Sequence, residues 1–427
     1  MINSNLKFSY SMKTFKFILI VLVVVLCSCE KEGLIKDNDN DTVLYVPMPK
    51  TVIGDALVHL QWSDAMWAEY IYNPFQTTIT PDVLEFFVSD KPDDREAGSV
   101  GEVNFNKKSY TINGLANGKP LYIYLLAKKK GYKTQKSEMI MVVPNKRKEY
   151  EYILRGAENQ YFWDLAVSPD GTKIAYVDNY EWGNGNYSAL SLFIANINGT
   201  NARMIAKSGY KPSWSPDGTK IAFHSEDGEI NVGNGFPAQI AIYNCNTGIM
   251  SKLTAGNYVN YNPSFSNDGN FLIYQSNENL QSGNNPSNIL TLNLQTLEKS
   301  QQSTMPGTYE FPTEYFSHFL FSGKISSFEN VIGICIPLSN NVQLIEKFRN
   351  DYRPALSPDK KKVAFISDRS GMSQVWVYEI ETHKFTQVTG YDENESIYYY
   401  NWSKINWIDN STLVFTMNFN EVLRQKI

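Results

Sequence analysis

The most reactive side chains are few and scattered in this 427-residue chain. Its histidines are His59, His224, His318 and His383, and no two of them have the spacing of metal ligands. There is also no Gly-x-Ser-x-Gly segment, the pattern that places a serine nucleophile on a sharp turn. The sequence therefore predicts no catalytic residue, no metal site and no cofactor.

Aligning the chain on a recurring serine reveals a more regular pattern of aromatic and polar residues. The aromatic residues either pack between sheets or act as stacking platforms, and the polar residues are either solvated or line the mouth of a channel. A channel mouth of this kind would suit the end of a glycan or peptide. The aromatic residues stand five positions before the serine and are Trp163, Tyr210, Tyr261, Tyr352 and Tyr398. The polar position follows directly and holds Asp164, Lys211, Asn262, Arg353 and Tyr399.

These serines mark an internal repeat. The segment SPDGTKIAY, which begins at Ser168, returns at Ser215 as SPDGTKIAF, and related copies begin at Ser266, Ser357 and Ser403. The intervals are 47, 51, 91 and 46 residues, and a degenerate copy near residue 317 splits the longest one. Pro-Asp-Gly between two apolar runs predicts a turn between strands, so the segment belongs to the scaffold. Six copies over residues 146–427 indicate an all-β fold with a six-bladed β-propeller.

The copy PALSPDKKKVAFISDRSGMSQVWVYEIETHKFTQVTG, residues 354–390, resembles a blade of the TolB-type propellers. The resemblance implies that residues 148–154 supply the outer strand of the last blade. The copy at residues 308–347 departs from the pattern because it lacks the Asp-Gly turn. TolB-like propellers include docking scaffolds of the cell envelope, and others belong to oligogalacturonate-type lyases that use clustered histidines. Both functions are kept as alternatives to ligand binding without catalysis.

Long Asn- and Gly-rich loops are predicted between the second and third strands of the first three blades. The first loop contains Trp182 and the second contains Phe236, whereas the fifth blade has only SDRSG at this place. Loops raised on one face of a rigid scaffold are common binding sites, and they are also places where insertions are tolerated. Both interpretations stay open, and Trp182 and Phe236 are candidate ligand contacts.

Residues 49–145 show short alternating strands separated by turns, the rhythm of a β-sandwich. Trp62 and the segment TINGLANGKPLYIYLLAKKKGYKTQKS resemble a fibronectin type III domain. Where that family usually has a corner tyrosine, strand alternation places Leu121, and Tyr122 points the other way. The resemblance implies a spacer or a docking module, and a spacer is expected.

The N-terminus carries an export signal. Lys13 and Lys16 precede the apolar run 17–26, which is too short to span a bilayer. The segment LCSC resembles a bacterial lipoprotein signal, which implies a signal peptide over residues 1–28 and acylation of Cys29. Residues 29–48 are polar and predict a flexible tether. The acidic EKE after Cys29 resembles the export tags of surface lipoproteins in Bacteroidota. An outer-membrane lipoprotein is therefore expected, facing either the cell surface or the periplasm.

Charge and cysteine content restrict the partners further. The net charge is −5 for the whole chain and about −8 after removal of the signal, so nucleic acid is not expected as a partner. Cys245 and Cys335 stand in apolar runs, which favours buried single thiols over a disulfide. The sequence predicts a membrane-anchored binding protein whose partner is a glycan, a peptide or another envelope protein.

Overall fold

The structure is a computed structural model of an all-β protein. Within the ranges it describes, no helix has the length and the apolar run that crossing a membrane requires. The described ranges are 42–63, 77–92, 97–146, 149–156, 160–178, 190–225, 238–278, 287–303, 307–325, 328–338, 342–345, 350–390, 405–418 and 420–427.

The N-terminal part forms two sheets that pack face to face. A five-stranded sheet has the order β10-β8-β5-β6, with β9 paired to β8, and a three-stranded sheet has the order β2-β3-β7. Strands β1 and β4 form a short parallel pair. The strands are β1 (Thr42–Leu44), β2 (Lys50–Gly54), β3 (Leu57–Gln61), β4 (Thr77–Ile79), β5 (Val83–Ser89), β6 (Ser99–Asn104), β7 (Ser109–Asn113), β8 (Leu121–Lys128), β9 (Gln135–Lys136) and β10 (Ile140–Val142).

The core between these two sheets follows from the alternation of their strands. Trp62 and Phe86 pack with ring centroids 5.8 Å apart, and the Trp62 indole donates to the carbonyl oxygen of Phe105 at 2.9 Å. Leu121 belongs to this core, whereas the next residue, Tyr122, is buried on the opposite face of β8. Successive side chains of a strand point to opposite faces, so Tyr122 is available for packing outside the sandwich.

The described ranges after residue 148 form six four-stranded antiparallel sheets, here called sheets 1 to 6. Sheet 1 contains β12 (Phe162–Val167), β13 (Lys173–Asp178), β14 (Ser191–Asn196) and β15 (Arg203–Lys207). Sheet 2 contains β16 (Gly209–Trp214), β17 (Lys220–Ser225), β18 (Gln239–Asn244) and β19 (Met250–Lys252). Sheet 3 contains β20 (Asn260–Phe265), β21 (Phe271–Ser276), β22 (Asn288–Asn293) and β23 (Lys299–Gln301).

The remaining three sheets follow the same order along the chain. Sheet 4 contains β24 (Gly307–Tyr315), β25 (His318–Ile325), β26 (Phe328–Cys335) and β27 (Val342–Leu344). Sheet 5 contains β28 (Asp351–Leu356), β29 (Lys362–Ser367), β30 (Gln374–Glu379) and β31 (Lys384–Gln387). Sheet 6 contains β32 (Ile405–Asp409), β33 (Thr412–Met417), β34 (Glu421–Lys426) and, on its outer edge, β11 (Glu151–Arg155).

The six sheets are arranged in a ring. The first strands of consecutive sheets contact one another, and β32 of sheet 6 contacts β12 of sheet 1. The ring is closed by β11, which comes from the N-terminal side and pairs antiparallel with the C-terminal strand β34. Residues 148–154 were predicted to supply this outer strand, and the pairing of Glu151–Arg155 agrees. An all-β ring of this kind fits a β-propeller.

The recurring Ser-Pro-Asp-Gly segment forms the turn between the first two strands. In sheet 2 the Ser215 hydroxyl donates to Asp217 at 2.6 Å and accepts from the Lys220 amide at 2.9 Å. Hydrogen bonds from the Ser215 hydroxyl and the Thr219 amide lower the pKa of Asp217 to about 2. Gly218 has a φ of +70°, a conformation that favours glycine. The same contacts recur at Ser168, Ser266 and Ser357, so the segment is scaffold.

The ring has two distinct faces. The entry face is the one where the first strands begin, at Gly209 in sheet 2 and Asp351 in sheet 5. The turn face is the opposite one and carries turns such as Ser215–Gly218. Asn350 donates its amide to Asp368 at 3.0 Å, so the β29–β30 loop also lies on the entry face.

The sandwich is docked on the entry face at sheets 4 and 5. The Thr51 hydroxyl donates to the carbonyl oxygen of Ser370 at 2.6 Å, and the Ile53 amide donates to that of Gly390 at 2.9 Å. Tyr122 and Met141 join a buried apolar cluster with residues of sheets 4 and 5. The sandwich and the ring are therefore in direct contact along this face.

Candidate functional site

Four first strands share an unusual backbone conformation at the same place. Lys211, Asn262, Phe311 and Arg353 have φ values of +50° to +52°, and each is followed by a proline. The strand pairing of each sheet shifts register at this point. A positive φ costs a residue other than glycine on the order of 1–3 kcal/mol, and such strain is common at functional sites. Because the register shifts at each of these four residues, their side chains do not follow the regular alternation of the strand.

Three of these side chains, those of Lys211, Phe311 and Arg353, converge with that of Asp164. The four residues are here called the axial cluster. The Lys211 ammonium lies 2.7 Å from an oxygen of Asp164 in the neighbouring sheet. The Phe311 ring, from sheet 4, has its centroid 5.4 Å from the Lys211 nitrogen and 4.7 Å from the Arg353 guanidinium carbon. Because sheets 2 and 4 are not neighbours, Phe311 reaches across the middle of the ring.

The charges of the axial cluster are removed from water. Asp164 is 2 % exposed and Arg353 is 4 % exposed, while the Lys211 side chain is 13 % exposed. Burial lowers the pKa of the Arg353 guanidinium to about 10, and the negative charges of Asp164 and Glu310 oppose this shift. Arg353 therefore stays charged at neutral pH. Buried charges interact more strongly than solvated ones because water screens them less.

Glu310 adds a second carboxyl group beside the axial cluster. It stands directly before Phe311, at the position where the aligned strands carry Tyr210, Tyr261 and Tyr352. Burial raises the pKa of Glu310, and the charges of Arg353, Lys211 and Lys324 act in the opposite direction. This carboxyl group therefore takes up a proton more readily than an exposed glutamate does.

A cavity of about 240 Å³ extends from the axial cluster along the first strands toward the turn face. At one end it is lined by Lys211, Phe311 and Arg353, and at the other by Pro358 and Trp407. Ser213, Ser264, Thr313 and Asn406 place hydroxyl and amide groups along its wall. The cavity thus combines buried charges at one end with hydrogen-bonding groups along its length, as ligand sites commonly do.

The four recurring aromatic residues in the described part of the chain do not line this cavity. Trp163 and Tyr210 pack against the apolar cluster between sheets 1 and 2, and Tyr352 packs against the one between sheets 5 and 6. Tyr261 meets the ring of His224 edge-on, with centroids 4.8 Å apart. These four aromatic residues therefore pack between sheets, which was one of the two alternatives for them. Asp164 and Arg353, at the following position, are buried, whereas one alternative for the polar residues was a solvated position.

The structure brings some of the candidate residues together, and two residues close to them were not among the candidates. Asp164, Lys211 and Arg353 meet at the axis, and Asn262 lines the cavity while it donates to Gln275 at 2.6 Å. Phe311 and Glu310 were missed because their copy lacks the serine-turn pattern. The proline that follows each positive-φ residue is a signal that would have found Phe311. Tyr398, Tyr399, Trp182, Phe236 and Cys29 lie outside the described residues.

The histidines are dispersed over the described part of the chain, on the sandwich and on sheets 2, 4 and 5. There, no three His, Cys, Asp or Glu side chains are arranged to hold a metal ion. His59 bonds to Thr111 in the sandwich, and His224 stacks on Tyr210 with centroids 5.3 Å apart. Cys245 and Cys335 are free thiols, and burial raises the pKa of Cys335 to about 11.

Comparisons with known proteins find likeness in structure only. No protein-family model matches the chain, and no curated protein matches its sequence. TolB from Acinetobacter baumannii is 18% identical with a TM-score of 0.43, over 73% of this chain and 77% of that chain. A structural genomics protein of unknown function from Bacteroides thetaiotaomicron is 10% identical with a TM-score of 0.44, over 93% and 98% of the two chains.

A third solved structure is that of an acylaminoacyl peptidase from Pyrococcus horikoshii. It is 14% identical with a TM-score of 0.41, and the match covers 63% of this chain but 46% of the peptidase. Propeller proteins, TolB among them, are thus structural neighbours of this chain. The strand pairing described above defines the all-β ring independently of these neighbours.

Proposed function

We propose that this protein is a lipid-anchored binding protein of the cell envelope. In this proposal the six sheets are the blades of a TolB-like propeller, the preceding sandwich is of the fibronectin type III kind, and Cys29 carries the lipid. The propeller binds the acidic end of a glycan or peptide in its central cavity without transforming it. The observation that carries the proposal is the axial cluster, where Lys211 and Arg353 meet Asp164 and Phe311 at the end of a polar cavity.

The volume of the cavity is sufficient for a small ligand group. An apolar cavity of about 150 Å³ is sufficient for benzene, so a cavity of about 240 Å³ has room for one sugar or amino-acid residue. Charge-assisted hydrogen bonds are the strongest polar contacts in proteins. Because Lys211 and Arg353 are largely desolvated, a negatively charged group between them would gain more than at an exposed cation pair.

Two other functions are less well supported. A lyase of the oligogalacturonate type would need histidines close together. The four histidines lie instead on separate elements, namely β3 of the sandwich (His59), β17 of sheet 2 (His224), the start of β25 in sheet 4 (His318) and a turn of sheet 5 (His383). A docking scaffold for envelope proteins would use the surface of the ring and not its cavity. The axial cluster favours ligand binding over both, because it places buried charges at one end of a polar cavity.

The test is a glycan and peptide array on the full-length protein in detergent, followed by calorimetry with each hit. The double variant Lys211→Ala with Arg353→Ala should weaken binding at least tenfold, which corresponds to about 1.4 kcal/mol. The matched control is Lys361→Ala with Arg155→Ala, because these cations are exposed and their ion pairs are long, at 3.7 Å and 3.9 Å. Unchanged affinity in a folded Lys211 and Arg353 variant would move the site to the loops that contain Trp182 and Phe236.

A further inference from the structure

Three hydroxyl groups lie at one level of the cavity wall, in the neighbouring sheets 2, 3 and 4. They belong to Ser213, Ser264 and Thr313, which all line the cavity. In each sheet, regular pairing with the second strand resumes at this residue after the register shift. The Ser264 hydroxyl donates to that of Thr313 at 3.3 Å, so neighbouring sheets hold these groups at the same height. The three residues are here called the hydroxyl arc.

The opposite side of the cavity wall is mainly apolar. In sheet 5 the equivalent position holds Ala355, and Leu356 and Trp407 line the cavity beside it. The Trp407 indole donates to the carbonyl oxygen of Ala355 at 2.9 Å, which holds the aromatic ring in place. The Asn406 amide nitrogen donates to the carbonyl oxygen of Leu165 at 2.8 Å, and its amide oxygen is an acceptor. The wall is thus polar over sheets 2 to 4 and mainly apolar over sheets 5 and 6.

A wall of this kind matches the surface of a sugar ring. A pyranose carries hydroxyl groups around its rim and C–H groups on its faces. A serine or threonine hydroxyl donates one hydrogen bond and accepts up to two, so Ser264 can accept from a sugar while it keeps its bond to Thr313. A peptide fits this wall less well. Its polar groups follow one another along the chain, whereas the hydroxyl arc runs around the cavity at one height.

We propose that the cavity binds the terminal sugar residue of a glycan, with the hydroxyl rim of the sugar on the hydroxyl arc and an apolar face toward Ala355, Leu356 and Trp407. This inference rests on the proposed function and names a glycan, not a peptide, as its ligand. The volume of about 240 Å³ has room for one residue. The rest of the glycan leaves at the turn face, where Pro358 at the end of the cavity is exposed.

The scaffold does not require the hydroxyl groups of this arc. The residue two places before the turn serine is Ser213 in sheet 2, but it is Ala166 in sheet 1 and Ala355 in sheet 5. All three pair with the second strand of their sheet, and in each case the partner is an alanine. Removal of the hydroxyl groups should therefore leave the ring folded, and a loss of binding in such a variant reports on contact with the sugar.

The experiment is isothermal titration of the full-length protein in detergent with sugars and peptide ends as probes. The sugars are D-glucose, D-galactose, N-acetyl-D-glucosamine, D-glucuronate and D-galacturonate, and the peptide ends are N-acetylglycine and glycylglycine. For at least one sugar we expect a Kd on the order of 1 mM or tighter. Its affinity should exceed that of both peptide ends by about tenfold or more.

Variants of the hydroxyl arc test the contact itself. Ser213→Ala with Ser264→Ala should weaken binding of that sugar by about tenfold or more, because two hydrogen-bonding groups are lost. Thr313→Val is an independent variant in sheet 4 that keeps the shape of the side chain. The matched control is Ser251→Ala with Ser300→Ala, since both serines are exposed on the outer strands β19 and β23. Thermal unfolding confirms that each variant is folded.

Monodeoxy derivatives of the same sugar distinguish a direct contact from an indirect effect. A derivative that lacks the hydroxyl bound by the arc should bind the unmodified protein more weakly. In the double serine variant, the same derivative should lose little further affinity, because the hydrogen bonds it lacks are already absent. Losses that simply add for every derivative would overturn the direct contact.

The outcomes separate this inference from the proposed function. If a peptide end binds and no sugar does, and this binding requires Lys211 and Arg353, the glycan assignment is wrong and the cavity remains the site. A sugar whose affinity is unchanged in both hydroxyl variants overturns the hydroxyl arc. If Lys211→Ala with Arg353→Ala also leaves that affinity unchanged, the proposed function fails as well. If no probe binds, the sugar assignment is wrong.

Discussion

The backbone amide of Met141 donates a hydrogen bond to the carbonyl oxygen of Arg369 at 2.6 Å, and this bond joins the last strand of the sandwich to sheet 5. The Arg369 side chain is fully buried and donates to Asp351 at 2.9 Å. Its guanidinium carbon lies 4.4 Å from the centroid of the Phe385 ring and 4.8 Å from that of Phe365. The sandwich is thus attached to a rigid, charge-paired part of the ring, and we infer that the two parts unfold together.

Because the sandwich and the ring are in close contact at Gly371, a single methyl group added there should destabilise the protein. A Cβ atom added at Gly371 would lie 2.4 Å from the carbonyl oxygen of Pro49, so Gly371→Ala must push the sandwich away from the ring. We expect a loss of about 2 kcal/mol or more in urea unfolding, together with faster proteolysis between the two parts. Gly256→Ala is the control, because Gly256 also has a positive φ but its nearest neighbour would be 3.9 Å away. Equal losses in both variants would show that backbone strain, and not the domain contact, is responsible.

The ring was predictable from the sequence because its turns repeat. Ser168 and Ser215 make the same side-chain bonds to Asp170 and Asp217, so local chemistry alone specifies each turn. The docking of the sandwich was not predictable in the same way. It depends on Tyr122. Strand alternation assigns this residue to the outer face of β8, but it does not show that residues of the ring bury it there. Contacts between distant parts of the chain do not produce a periodic pattern in the sequence.

The candidate site was predictable only in part for a related reason. Alignment on the turn placed Asp164, Lys211 and Arg353 at equivalent positions, and the ring brings equivalent positions together at its axis. The alignment failed in sheet 4, whose shorter first turn shifts the serine relative to the strand. Phe311 and Glu310 were therefore missed. The burial of the aromatic residues between sheets also depends on neighbouring sheets, which the sequence of one repeat does not describe.

The scaffold role of the repeated turn predicts that Gly218→Val lowers stability without a specific effect on binding. Gly218 has a φ of +70°, and a β-branched residue is strained there. An added Cβ would meet nothing closer than 3.9 Å, so strain alone should cost about 1–3 kcal/mol. Thermal unfolding measures this loss, and Gly98→Ala, at a glycine with open space and no positive φ, should change little. A Gly218→Val protein with normal melting temperature and abolished ligand binding would contradict the scaffold role.

The proposed lipid anchor predicts that Cys29→Ala releases the protein from membranes. Residues 30–41, between Cys29 and strand β1, are mostly polar and acidic, so they have little apolar surface to replace the acyl chains. Cell fractionation with a high-salt wash measures the result, since salt removes proteins held only by charge. Ser28→Ala is a suitable control because it leaves the acylated sulfur in place. A Cys29→Ala protein that stays in the washed membrane pellet would show that the lipoprotein proposal is wrong.

The environment of Glu310 predicts a pH-dependent cost to folding even without ligand. Because burial raises the pKa of Glu310 above its unfolded value, its contribution to stability is fully present below the unfolded pKa and is lost as the pH rises through the folded pKa. Glu310→Gln removes this loss, so its stability relative to the unmodified protein should increase with pH, by at most about 1.4 kcal/mol per unit. Urea unfolding at intervals between about pH 4 and pH 8 measures the difference. The control Glu381→Gln, at a side chain that is 73% exposed, should show no such trend. A difference for Glu310→Gln that stays constant with pH would mean that Glu310 ionises in the folded protein as it does in the unfolded chain.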